Sequence, residues 1–167
     1  MYETVVDGGI SLVAQYGLVV LLIAFVLEGA LVGKLIPTRA LFVAAALVVG
    51  SDAVGLAAVA AVAVVGATLG QAVLFVAVRR TDCSVESLPG PTDAAGGAVV
   101  GWFDRWGLPA VAVSNALPVA RGSLTVPVAM TDESVLRFCG SSVLGSSVYA
   151  VGLVAVAAGL DVLFSLL

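Results

Sequence analysis

Histidine is absent from this sequence and lysine occurs once, as Lys34. Charged residues fill only 11% of the 167 positions, whereas a water-soluble domain carries roughly a quarter. That shortage excludes an ordinary soluble surface. No Ser/His/Asp set, no metal-ligand cluster and no pair of acids can be assembled, so no enzyme, catalytic residue, metal or cofactor is expected. The two cysteines, Cys83 and Cys139, stand 56 positions apart without a CxxC spacing and are expected as free thiols. Basic clusters are missing too: the formal net charge is -4 and the isoelectric point about 4.5, which argues against nucleic-acid binding. Acidic, lysine-poor loops suit a very saline cytoplasm, as in a halophilic archaeon. No basic residue precedes Lys34, so the first apolar run is expected to stay rather than be removed as a signal peptide.

Hydrophobic residues are what the chain has in excess, at 61% with a mean hydropathy of +1.19. The expectation is a single all-α membrane domain over 1–167, in a first half (10–78), a loop with an interfacial helix (79–107) and a second half (108–160). Three uncharged runs are long enough to cross a bilayer at about 20 residues per span. They are Ile10 to Leu27, Ala53 to Val78 and Phe138 to Leu160. Two further apolar stretches are interrupted. Leu35 to Gly50 contains Pro37 and Arg39, and Leu108 to Met130 contains Pro109, Asn115, Pro118, Arg121 and Pro127. Proline removes a helical donor and clashes with the preceding turn, and irregular backbone at membrane depth survives only against protein or water. Both stretches are therefore read as re-entrant hairpins, with Pro37 and Pro118 as their breakers. Between the halves, 79–93 reads as an aqueous loop. Ala94 to Gly107, which holds Trp102 and Trp106, reads as an interfacial helix.

The hairpins resemble each other at an offset of 79 to 82 residues: Pro37 matches Pro118, Asp52 matches Asp132 and Gly66 matches Gly145. With the first run crossing fully, the hairpins would enter from opposite faces, the inverted repeat in which transporters place midplane sites. Arg79, Arg80, Arg105 and Arg137 then share one side, which the positive-inside rule makes cytoplasmic, together with the N-terminus.

A charge within hydrocarbon needs a partner. Glu28 ends the first run, and Arg39 and Arg121 follow the two hairpin prolines. One carboxylate facing two guanidiniums leaves positive charge for an anionic group, and the planar fork of arginine suits phosphate. Structural readings stand beside this one: Arg39 and Lys34 could snorkel to the surface, and Glu28–Arg121 could be a purely structural pair. Gly66-x-x-x-Gly70 reads as a helix-packing face.

These residues resemble the DedA family, also called SNARE-associated Golgi or VTT-domain proteins, over roughly residues 15 to 160. Glu28 matches the family's glutamate after the first run. Ile36-Pro37-Thr38-Arg39 stands at its Pro-Gly-acid motif, and Asn115-Ala116-Leu117-Pro118-Val119-Ala120-Arg121 at its Arg-Phe-x-Pro-x-x-Arg motif, running on to Met130. Arg39 replaces the motif acid, Asn115 replaces the first motif arginine, and only Asp161 to Leu167 stands where a further helix is usual. The resemblance implies a plasma-membrane, multi-pass transporter that moves a polyprenyl phosphate or phospholipid between leaflets. Arg121 and Arg39 would hold the headgroup, Asn115 would donate a hydrogen bond, and Glu28 would be counter-ion or proton site. A proton-coupled small-ion transporter and a non-transporting assembly subunit remain as alternatives, and a homo-oligomer is compatible with each.

Overall fold

The computed structural model describes residues 16–30, 36–50, 52–81 and 101–165. Among them there is no strand. The helices are α1 (Leu18–Gly29), α2 (Thr38–Val49), α3 (Ala53–Thr81), α4 (Leu108–Ala116), α5 (Thr125–Ala129) and α6 (Val135–Ser165). A short helical stretch at 101–106 precedes α4. The expected aqueous loop beyond residue 81, the first part of the expected interfacial helix (94–100), and Lys34 lie outside the described residues.

Two of these helices, α3 and α6, are long and apolar enough to cross a membrane. Both begin at a side-chain cap. Asp52 Oδ1 accepts from the Gly55 N–H at 2.7 Å and Ser134 Oγ from the Arg137 N–H at 3.3 Å. In each case the cap residue's carbonyl accepts the next N–H, from Leu56 and Phe138, the ordinary way of satisfying orphan donors at a helix start. In capping terms the counterpart of Asp52 is thus Ser134, not Asp132. The two long helices run antiparallel. Phe75 stacks on Phe138 with ring centroids 4.8 Å apart, Ser142 bonds Gln71, and further along Tyr149, Ala150 and Ala157 share a core with Val59, Ala63 and Ala67.

Glycines set how α1 meets α3. A Cβ at Gly66 would press on the Leu22 carbonyl and on Phe25 Cβ, and one at Gly70 would run into the Val26 carbonyl and Gly29. A Cβ at Gly29 would strike the Ala67 carbonyl. Only glycine permits this backbone approach. Because the partners advance together along both helices, α1 runs parallel to α3. The second half repeats the arrangement: Gly145 presses on the Ala112 carbonyl and Asn115 Cβ, and Ser141 Oγ donates to the Leu108 carbonyl. Hence α4 runs parallel to α6, and each glycine meets the i and i+3 residues of its short partner helix.

This geometry corrects the expected path of the first half. Gly17, at φ 55, breaks the helix ahead of Leu18, so α1 is 12 residues long, about 18 Å at 1.5 Å per residue, against roughly 30 Å of hydrocarbon. Residues 10–15 lie outside the described residues. With α1 parallel to α3, the chain must return between them, and α2 carries it back. Residues 38–49 therefore form one helix, α2, that pairs with α1, rather than the hairpin expected within 35–50; residues 31–35, between the two helices, lie outside the described residues. Among the described residues two helices are long and apolar enough to span, where three were expected, and the first expected run begins outside them. The second helix–turn–helix is α4–α5, with its tip at 117–124, as expected from Pro118. Arg79 fastens its far end, donating to the carbonyls of Ala129, Thr131 and Glu133. The two tips thus approach each other from opposite ends of the α3–α6 pair.

Candidate functional site

The tips meet through Arg39, in the first turn of α2. Its Nη2 donates to the Pro118 carbonyl at 2.9 Å, and its Nε donates to the Tyr149 hydroxyl at 3.1 Å. Pro118 lies just past the end of α4 at Ala116, where its carbonyl has no helical donor. Arg121, three residues on, lies over the Tyr149 ring at 4.2 Å and over Phe25 at 5.7 Å. Such cation–π contacts orient a guanidinium without occupying its donors.

Glu28, in the last turn of α1, faces Arg121 with Nε and Oε1 3.8 Å apart. That separation is an ion pair and too long for a hydrogen bond. Of the two expected pairings of Glu28, the geometry selects Arg121 over Arg39. The Arg121 side chain is 7% exposed and that of Glu28 22%. Opposite charges near 4 Å attract by about 4 kcal/mol at an effective dielectric near 20, against a desolvation cost of several kcal/mol for each ion. Moreover, Arg121 Nη1 and Glu28 Oε2 are buried and find no hydrogen-bond partner among the described residues, at about 1–3 kcal/mol or more apiece. The attraction does little more than offset the cost of burying the two charges.

Beside the ion pair lies a clamp of hydrogen-bonded amides. Gln71 Nε2 donates to Asn115 Oδ1 at 2.9 Å, and Asn115 Nδ2 donates to Gln71 Oε1 at 3.1 Å. Ser142 Oγ donates to Gln71 Oε1, and the Gly122 N–H donates to Asn115 Oδ1 at 3.0 Å. Gly122 has φ 75, a left-handed turn that a side chain disfavours, and this turn aims its N–H back at Asn115. One amide pair thereby ties α3, α6 and the second tip together. Asn115, expected to donate to a headgroup, is 1% exposed, and its amide is engaged within this clamp.

One helical turn from the Gln71–Ser142 contact, Thr68 on α3 and Ser146 on α6 point along the same faces by the i, i+3 and i, i+4 rule. Their hydroxyls are buried and without a partner among the described residues, as is that of Thr125. Sequence reading did not single out Thr68, Ser142, Ser146 or Tyr149. Tyr149 could have been flagged as the sole tyrosine in the last apolar run. Among the described residues no group of His, Cys, Asp or Glu could hold a metal ion. Arg39, Arg121, Glu28, Tyr149 and Pro118 therefore form one site where the two tips meet, and Pro37, the N-cap of α2, starts the helix that presents Arg39. Comparison with protein-family models, curated proteins and solved structures returns no match.

Proposed function

We propose that this chain is a small multi-pass protein of the cell membrane that passes a lipid phosphate between leaflets, as the DedA resemblance implies. The membrane reading rests on the outer faces of the helices. Val19, Ile23 and Leu27 on α1, Val65, Leu69 and Val73 on α3, and Leu144, Val148 and Val151 on α6 are all exposed. They form apolar stripes at helical spacing, larger than a soluble monomer presents. In a bilayer, α3 and α6 span while the 12-residue α1 and α2 and the broken α4–α5 segment reach only partway, so both pairs re-enter. The matched glycine contacts of Gly66 and Gly145 support an inverted repeat, with both tips near the midplane.

The observation that carries the function is the buried, under-satisfied Arg121 beside Arg39, with a single carboxylate between the tips. Two guanidiniums and one carboxylate leave one positive charge facing whatever enters, and a phosphate is the group their forks fit. Asn115 acts through the clamp that holds the second tip, not through the ligand. Arg79, Arg80, Arg105 and Arg137 gather at one end of the spans, which makes that end cytoplasmic. The start of α3 and the end of α6 then face the outside.

Photolabelling tests this reading. A photoactivatable polyprenyl monophosphate in liposomes should label peptides from 36–50 and 117–124, with competition by unlabelled lipid and loss in Arg121→Ala. Labelling spread evenly over the apolar stripes, and indifferent to Arg121→Ala, would sink it.

A further inference from the structure

Tyr149 touches both arginines of the site in different ways, its hydroxyl taking the Arg39 Nε–H and its ring face carrying Arg121. We propose that Tyr149 is a positioning residue that fixes the spacing of the two guanidiniums and so selects a dianionic phosphomonoester headgroup over a phosphodiester. The inference rests on the lipid-phosphate reading above and deepens it.

Like charges on two flexible side chains move apart unless something holds them. Here the holding group is uncharged, rigid and buried: Tyr149 is 6% exposed and lies on α6 within the main core. Its two ends act independently. The ring needs no hydroxyl to carry Arg121, and the hydroxyl needs only its oxygen to accept from Arg39. The Pro118 carbonyl restrains Arg39 from the other side. These contacts use Nε and one Nη2 hydrogen of Arg39, and leave its Nη1 edge, like Arg121 Nη1, with donors to give. A phosphomonoester offers three terminal oxygens and close to two negative charges above its second ionisation near pH 6. A diester offers two such oxygens and one charge. Two forks held at fixed separation can engage the three oxygens together, whereas a diester satisfies one fork and leaves the other unpaired. Glu28, already facing Arg121, adds a repulsive carboxylate that the doubly charged headgroup overcomes only with both arginines in place.

The full-length chain in liposomes at pH 7.5 would be assayed for leaflet exchange of two probes with one tail: a fluorescent polyprenyl monophosphate and its methyl phosphodiester. The wild type should favour the monoester by about tenfold or more, the scale of one charge-assisted hydrogen bond. Tyr149→Phe keeps the ring and should bring that preference near unity, with its helical circular dichroism and thermal unfolding in detergent as the check on folding. A Tyr149→Phe protein with the wild-type preference overturns the positioning role and leaves the transport reading standing. Equal wild-type exchange of both probes overturns the selectivity. Wild-type exchange of neither overturns the transport reading and this inference together.

Discussion

Arg39 Nη2 donates to the backbone carbonyl of Pro118 at 2.9 Å, across 79 residues of chain. Each partner sits at the break in its own half, so the bond joins the two tips directly. Two short helix pairs thus pack from opposite ends against two long antiparallel helices and touch where Arg39 meets Pro118.

The path of the first half predicts which positions share a side. In a cysteine-free background, Tyr16→Cys and Asp52→Cys should react with a membrane-impermeant thiol reagent from one side of sealed vesicles, and Arg137→Cys from the other. Reaction of Tyr16→Cys together with Arg137→Cys would restore a full first span and contradict the parallel packing of α1 on α3.

Close glycine contacts predict a sharp contrast among single-methyl changes. Gly70→Ala and Gly145→Ala put a methyl against the Val26 and Ala112 carbonyls, and backbone cannot yield as a side chain tip can. Each should cost about 1–3 kcal/mol, the range for overpacking. Gly140 and Gly152 on α6 meet nothing within 4 Å. Their alanine variants should match or exceed wild type, since alanine favours helix by about 1 kcal/mol. Thermal unfolding in detergent of the four variants side by side decides this.

The buried amide clamp predicts coupling. Gln71→Leu strands the Asn115 amide and the Ser142 hydroxyl, and Asn115→Leu strands Gln71 and the Gly122 N–H. Each single change should cost about 1–3 kcal/mol per orphaned group. The double variant should cost less than the sum by roughly 0.5–3 kcal/mol. Additive losses in a double-mutant cycle would show that the two side chains do not form one unit.

Much of the scaffold was legible in the chain. The runs Ala53 to Val78 and Phe138 to Leu160 anticipate α3 and α6 to within a few residues, because an uninterrupted apolar run has few ways to satisfy its backbone except as helix. Pro118 marks the second tip for the same local reason, and the scarcity of charge set Glu28 against Arg121 or Arg39 without choosing between them. The direction of α1 was not legible, since it depends on Gly66 and Gly70 receiving another helix's backbone, a contact that residue spacing does not reveal. Within the run Ile10 to Leu27, the break at Gly17 was not legible, because a glycine adopts a positive φ without announcing it in hydropathy. Tyr149 escaped because a tyrosine in an apolar run reads as packing until its two neighbours are seen. Asn115 was legible as a buried polar group but not as a clamp, since Gln71 lies 44 residues away.

The central claim is that Arg121, buried and under-satisfied at the meeting of the tips, binds the phosphate of a lipid in transit. Leaflet exchange of a fluorescent polyprenyl monophosphate, measured in liposomes for wild type, Arg121→Ala and the open-site control Gly140→Ala, tests it most directly. The account predicts fast exchange by wild type and Gly140→Ala, and a loss of about tenfold or more in Arg121→Ala, the scale of a lost charged hydrogen bond. Exchange by Arg121→Ala at the wild-type rate, or none by correctly folded wild type, would contradict it.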